Sequence, residues 1–224
     1  MANYKFNPSK ARDRLIEGLE TLAKEDDLPK VVVDMSLPNP MVAIAICIRA
    51  LGKENVCAAF DAGDHPLERR LCASFGVDVV NYELDSAVRS LKEIVPDADS
   101  LLLRERLRMV MLKCLAEAMN GKVIGLLDLN TLTVGEYAKA TNACCDYSLF
   151  GELTTFEVIQ IAKTMKELPK DSYMTSDQFI EEVHHYIRND QPLDICIWRD
   201  FRRLESGNML KRMMPIAVYD PLGG

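Results

Sequence analysis

Val31 to Ala50 reads VVVDMSLPNPMVAIAICIRA: a short apolar run, a turn with two prolines, then an apolar stretch of helical period. An uninterrupted apolar strand leading through a turn into a helix is the first strand-loop-helix unit of a nucleotide-type α/β sheet. Such a first turn normally meets a phosphate, because helix amides and the positive end of the helix dipole converge there. A phosphate cradle needs glycines and free N–H groups. Ser36-Leu37-Pro38-Asn39-Pro40-Met41 has no glycine, and Pro38 and Pro40 each delete a donor. Without a ligand the turn is a good helix start: Asn39 is a favoured N-cap and Pro40 suits the first helical position. The Asn39 amide oxygen is then expected to take the amides a phosphate would take.

Outward from this unit, strands and helices alternate. Asn7-Pro8 opens an amphipathic helix with Leu15, Ile16, Leu19, Leu22 and Ala23 on one face, placed to pack on the sheet from outside. The strand Lys30 to Met35 and its helix, closed by Gly52, lead to a second strand at Val56 to Phe60. A helix at Pro66 to Phe75 ended by Gly76, a strand at Val77 to Tyr82 and a helix at Asp85 to Ile94 follow. Asp99 or Ser100 caps the longest helix, Leu101 to Met119, in which Leu103, Leu107, Val110, Met111, Cys114, Leu115 and Ala118 keep the helical period. Strands are read at Lys122 to Leu127 and Asp146 to Phe150. Thr154-Thr155-Phe156-Glu157 and Thr175-Ser176-Asp177-Gln178 have the form of capping boxes, opening helices to about Leu168 and through Arg188, and Leu193 to Glu205 is the last helix. The pattern predicts an α/β fold with a doubly wound, mainly parallel, five-stranded Rossmann-like sheet. It predicts one domain over 1–224, with the sheet core at about 28–168 and C-terminal helices at about 175–207.

Lys and Arg number 27 against 34 Asp and Glu, a formal net charge of −7, which argues against general nucleic-acid or anionic-membrane binding. The longest apolar runs, Pro40 to Ile48 and Leu107 to Leu115, fall short of the roughly twenty residues of a membrane span. Met1 to Lys10 holds no apolar signal core, and a cytoplasmic protein is expected. Seven cysteines (Cys47, Cys57, Cys72, Cys114, Cys144, Cys145, Cys196) form no C-x-x-C pair and read as buried free thiols. His184-His185 and Cys144-Cys145 are sequence neighbours whose side chains diverge, so no metal site is expected from either pair. Trp198 reads as a packing or subunit-contact residue.

Several phrases recur in a recognisable order: Arg49 to Val56 as RALGKENV, Arg106-Leu107-Arg108-Met109, and Gly125 followed by LLDLNT. Gly135-Glu136-Tyr137-Ala138-Lys139, Gly151-Glu152-Leu153-Thr154-Thr155-Phe156-Glu157-Val158 and Lys211-Arg212 before Pro215 follow them. Over most of its length the chain resembles the ammonia-dependent NAD synthetases of the ATP pyrophosphatase superfamily. Those enzymes carry S-G-G-x-D-S, R-A-L-G-K-E-N-V, N-x-Q-A-R-x-R-M, G-T-G-N-K-S-E, F-T-K-Y-G-D, G-D-L-x-K-T-E-V and a terminal K-R-x-x-P. The resemblance implies ATP and magnesium as cofactors of an active member, which adenylates the deamido-NAD carboxylate and lets ammonia displace AMP. It also implies a homodimer in which Leu101 to Met119 packs on its mate, with Met111 central and Arg104 and Arg108 near the rim.

The departures fall on the chemistry. Of the first motif only Ser36 remains; its glycines have become Leu37 and Pro38, its aspartate Pro40 and its last serine Met41. The second carboxylate that the resemblance assigns to magnesium falls at Thr131, and a threonine falls at Leu126. Magnesium requires oxygen ligands, and leucine and proline side chains have none. Ser36, Arg106, Lys139, Glu152 and Lys211 persist as a vestigial nucleotide or substrate set. The aspartate of F-T-K-Y-G-D has become Asn142. Each also has a plainer reading: Arg106 a solvated or interface charge, Lys139 a surface lysine, Glu152 a first-turn acid favoured by the helix dipole. Only Pro169 to Met174 stands where the family has a mobile substrate loop, so no lid is expected to exclude water. Two readings stand: a catalytically inactive homodimer acting as a binding or assembly module, with no catalytic or metal residues, no cofactor and perhaps another protein as partner; or a working synthetase.

Overall fold

Val31, Val32 and Val33 are each at most 1% exposed, because the strand they form, β1 (Lys30–Asp34), lies in the middle of a sheet covered on both faces. The computed structural model describes residues 5–27, 30–63, 65–134 and 141–189. In these, β1 is followed by α2 (Pro40–Leu51), β2 (Val56–Phe60), α3 (Pro66–Phe75), β3 (Asp78–Asn81), α4 (Asp85–Ile94) and α5 (Ser100–Ala118). Then come β4 (Gly121–Gly125), the short α6 (Leu129–Val134), β5 (Tyr147–Ser148), α7 (Thr155–Lys163) and α8 (Gln178–Asn189), and α1 (Pro8–Glu25) precedes them all. The five strands run in the order β3-β2-β1-β4-β5, all neighbours parallel. This is the doubly wound α/β sheet expected, and the order of connection reverses between β1 and β4.

Alternate residues of β1 serve different cores. Val31 and Val33 face α2, α3 and α7 together with Ala58, Phe60 and Ile124, whereas Val32 faces α5 with Cys57, Ala59 and Val123. A strand with two dry faces must be apolar without alternation, which is why this run is legible as a central strand. Gly121 lets β4 approach β1: a Cβ there would stand 2.6 Å from the Lys30 carbonyl oxygen. Gly52 and Gly76 end their helices with positive φ, as expected. Among the described residues no helix is long and apolar enough to cross a membrane.

Several expectations are corrected. Helix α1 is capped by Asn7 and buries Leu15, Leu19 and Ala23, yet it packs on α2 and α7 rather than directly on the sheet. β5 is shorter than expected because the Asp146 carboxylate takes the Val123 amide at 2.7 Å and the Lys113 ammonium at 2.6 Å. Helix α7 stops at Lys163, where the Thr164 hydroxyl bonds the Ile161 carbonyl at 2.7 Å. Its capping box is present as read. The cap of α8 is Asp177, whose Oδ1 accepts from the Ile180 amide at 2.9 Å; Thr175-Ser176 lie outside the helix. Cys114 is exposed rather than buried. The expected helix Leu193 to Glu205, Cys196 and Trp198 lie outside the described residues.

Helix α5 has apolar surface on two sides. Met109, Leu112 and Ala116 close the sheet's second face, with Met111 and Leu115 packed partly behind them. Val110 on the outer side is 58% exposed; Leu101, nine residues earlier and so about half a turn round the helix from it, is 70% exposed, and Ile94 on α4 is 76% exposed. The expected stripe of Leu103, Leu107, Val110, Met111, Cys114, Leu115 and Ala118 is thereby corrected: the buried face is Arg108, Met109, Leu112 and Ala116, while Val110, Cys114 and Ala118 are exposed.

Helix α8 is fastened to the start of α7. Glu157, fully buried, takes Arg188 Nε at 3.0 Å and a second guanidinium nitrogen at 2.6 Å, and the His184 Nδ1 lies 2.8 Å from the Thr154 hydroxyl. Burial, with His185 and Arg188 adding to it and Glu157 opposing, holds the His184 pKa below its usual value. A histidine whose folded pKa is depressed binds its proton more readily unfolded, so stability is full above pH ~6.5 and is lost as pH falls toward the folded pKa. The thermal unfolding midpoint should therefore fall between pH 7.5 and 5.5, and His184→Gln should flatten that fall, as differential scanning fluorimetry across the range would show.

Candidate functional site

The loops leaving the C-terminal ends of β1 and β4 part where the connection order reverses, the place where open α/β sheets bind ligands. A cavity of about 240 Å³ lies there, lined by Leu37, Pro38 and Asn39 from the β1 loop and by Leu126, Leu127, Asp128 and Thr131 after β4. Asn142, Phe150 and Val158 complete the lining. Among the described residues no lysine or arginine lines it.

Pro40 begins α2 as expected, but Asn39 does not cap it. Its backbone is left-handed, φ 55° and ψ 37°, and its side chain makes no bond to the helix amides. That conformation swings the side chain away from the helix end, and Asn39 Oδ1 instead accepts from the Met174 amide at 2.9 Å. The turn is thereby tied to the segment between Pro169 and Met174, which stands where the resemblance places a mobile loop. Asparagine tolerates the left-handed region better than most residues, so the residue type read as a cap serves as a bend and a tether.

Ser36 is engaged as well. Asp34, 1% exposed at the end of β1, accepts the Ser36 amide at 3.0 Å and the Ser36 hydroxyl at 2.7 Å on Oδ1, and the Tyr82 hydroxyl at 3.3 Å. Its other oxygen has no hydrogen-bond partner among the described residues and faces Arg108 Nε, itself unpartnered, at 3.8 Å. Arg108 also reaches Glu105 at 2.9 Å and Asp61 at 3.9 Å, while Arg104 pairs with Asp61 at 3.1 Å and with Asp85. Burial alone would lower the Arg108 pKa, but Asp34, Glu105, Tyr82 and Asp61 together raise it. Burial and Asp34 likewise raise the Tyr82 pKa, so its phenol stays a donor. Four carboxylates thus meet two guanidinium groups, an excess of two negative charges beside the turn. Arg104 and Arg108, expected at the rim of a subunit interface, are drawn to this edge by the carboxylates.

Asp128 takes the place of the asparagine in G-T-G-N-K-S-E and is the cap of α6. Its Oδ1 accepts the Thr131 amide at 2.9 Å and hydroxyl at 2.8 Å, and its Oδ2 the Thr155 hydroxyl at 2.6 Å. Thr131, where a magnesium carboxylate is implied, spends its hydroxyl on this cap. Asn142, 9% exposed, has no hydrogen-bond partner for its side-chain amide among the described residues. Of the remaining vestigial residues, Arg106 is exposed on α5 and away from the cavity lining, and Glu152 presents its carbonyl to Arg188 at 2.5 Å. Lys139 and Lys211 lie outside the described residues. Sequence reasoning passed over Asp34 and Asp128, although D-x-S after a strand and D-x-x-T before a helix are the signatures of an Asx turn and an N-cap.

A triphosphate with magnesium does not fit these residues. Ser36 is occupied by Asp34, the prolines remove amides, no cation among the described residues lines the cavity, and Pro40 and Thr131 stand where the resemblance implies metal carboxylates.

No protein-family model matches the chain. It is 27% identical over 168 residues to the NH3-dependent NAD+ synthetase of Archaeoglobus fulgidus, covering 70% of this chain and 68% of that protein. The chain is NAD synthetase-like. Its fold agrees: the NH3-dependent NAD synthetase of Campylobacter jejuni, solved with nitrate ion, superposes with a TM-score of 0.81 at 21% identity over 94% of this chain and 98% of that one. The NMN synthetase of Francisella tularensis gives 0.80 at 13% identity over 95% and 98%. The NAD+ synthetase of Burkholderia pseudomallei gives 0.71 at 17% over 94% and 92%. At these identities the superpositions show the common fold.

Removing Arg108 should leave Asp34 buried and uncompensated. Arg108→Met is expected to cost about 3 kcal/mol or more in urea unfolding, and Arg108→Met with Asp34→Asn distinctly less than the sum of the two single changes.

Proposed function

We propose that this protein is a catalytically inactive NAD synthetase relative, kept as a homodimeric binding or assembly module. The observation that carries the reading is the β1–α2 turn, where Asp34 takes the amide and hydroxyl of Ser36 and two prolines take away further donors. Charge stabilisation on the transferring phosphate is normally the largest catalytic contribution in such chemistry, and one lost donor costs about 3 kcal/mol. Several are gone here, so adenylation would slow by many powers of ten. No cofactor is expected to bind at this turn. A cytoplasmic location fits the acidic composition and the short apolar runs.

The alternative, ATP-dependent amidation of deamido-NAD to NAD, draws on the likeness to the Archaeoglobus fulgidus protein. Purified protein given deamido-NAD, Mg-ATP and ammonia should form no NAD, and Mg-ATP should leave the unfolding midpoint unchanged. Turnover abolished by Lys139→Ala would establish the active reading instead.

Retention of an assembly surface gives the fold a reason to persist. The outer side of α5, where Val110 is largely exposed, is the surface proposed for a two-fold contact of apolar centre. Met111 turns toward the sheet core, so Val110 replaces it as the probe. Light scattering at micromolar concentration should give a dimer for the wild type and a monomer for Val110→Glu, with the unfolding midpoint of an exposed substitution.

A further inference from the structure

The cavity between the β1 and β4 loops has kept its place and exchanged its chemistry. Its walls are Leu37, Pro38, Leu126, Leu127, Phe150 and Val158, and its polar groups are Asn39, Asp128, Thr131 and Asn142. These include one carboxylate and no cation. Asn142 is nine-tenths buried with its amide unpaired among the described residues, and Asn39 spends its oxygen on Met174 while its NH2 bonds none of them. Buried polar groups of native proteins find partners, and one left unpaired against a cavity points to what fills the cavity. Asp128 accepts three protein donors, and each carboxylate oxygen has room for about two. One further acceptor direction therefore remains on Oδ2.

We infer that this cavity binds a small flat organic molecule bearing N–H donors, an amide, amidine or amine, and excludes phosphates and carboxylates. The flat apolar body lies among Leu37, Leu126, Leu127 and Phe150. Its N–H groups meet the Asn142 carbonyl and Asp128, and an amide oxygen meets an Asn NH2. Among the described residues an anion would find a carboxylate and no cation, the reverse of a phosphate turn's preference. At about 240 Å³, the volume of about eight liquid waters, the space suits a single ring with one substituent rather than a nucleotide. The inference rests on the reading that the turn no longer takes ATP, and it goes further by naming what the site takes.

The test is an amide-resolved NMR titration of the full chain with benzamide, benzamidine, benzoate and Mg-ATP. Benzamide and benzamidine share the size of benzoate and differ in carrying N–H donors. Saturable shifts at Asn142, Leu127 and Leu37 are expected with the two donors, at least tenfold weaker binding with benzoate, and none with Mg-ATP. Asn142→Leu should weaken benzamide at least tenfold without lowering the unfolding midpoint, since it removes an unpaired amide. Leu37→Trp, at a half-exposed position, should block the cavity by bulk and gives a second handle if the first variant unfolds. Benzoate binding as tightly as benzamide, or no shift with either donor, overturns the inference and leaves the inactive reading standing. Mg-ATP shifting the same residues overturns both.

Discussion

A carboxylate ends the central strand at Asp34, 1% exposed, and the sheet's C-terminal edge is organised by the need to compensate it. Ser36 and Tyr82 give it donors, and Arg108 is drawn in from α5 to face its second oxygen. Arg108 in turn needs Glu105 and Asp61, and Asp61 holds Arg104. A buried charge is tolerated only when paired, so each partner recruits the next until the chain of ion pairs reaches the exposed Asp85. The network holds α5 to the loops after β1, β2 and β3 at the edge where a nucleotide would approach.

The same edge is closed from the other side by Asn39. Its left-handed backbone lets the chain bend between two prolines, and its side chain fixes the Met174 amide across the turn. A loop that must open over a substrate is drawn from the weakly held parts of a protein. Here the corresponding segment is short, with Ser172 buried and bonded to the Pro169 carbonyl at 2.7 Å. Closure, loss of phosphate donors and an acidic surround occur together at one turn, which is more coherent than the scattered loss of single residues.

Four of the described thiols are held in the protonated form by their surroundings. Burial pushes Cys47 up to about 12, and burial with neighbouring charges pushes Cys57, Cys72 and Cys145 up to about 11, so they remain protonated packing groups. Cys145 also explains Gly125: a Cβ on that glycine would stand 2.2 Å from the Cys145 sulfur. His184, read as half of an unlikely metal pair, is a structural residue between Thr154 and the ring of Phe156, 4.6 Å away.

The sequence by itself determined the sheet, most helix starts and a first βα turn without glycine and with two prolines, because these depend on local properties. An apolar run without alternation means a strand with two dry faces, proline means a missing donor, and glycine means a permitted left-handed bend. It also carried the kinship, in phrases such as RALGKENV at Arg49 to Val56. Tertiary structure decided where polar side chains point. Asn39 has a cap's residue type and a cap's position, yet its backbone angles send the oxygen to a residue 135 positions away. Arg104 and Arg108 sit on a helix with two apolar sides, and the carboxylates of three other segments determine which way they turn. Long-range electrostatic pairing and burial are properties of the assembled fold, and no local pattern along the chain encodes them.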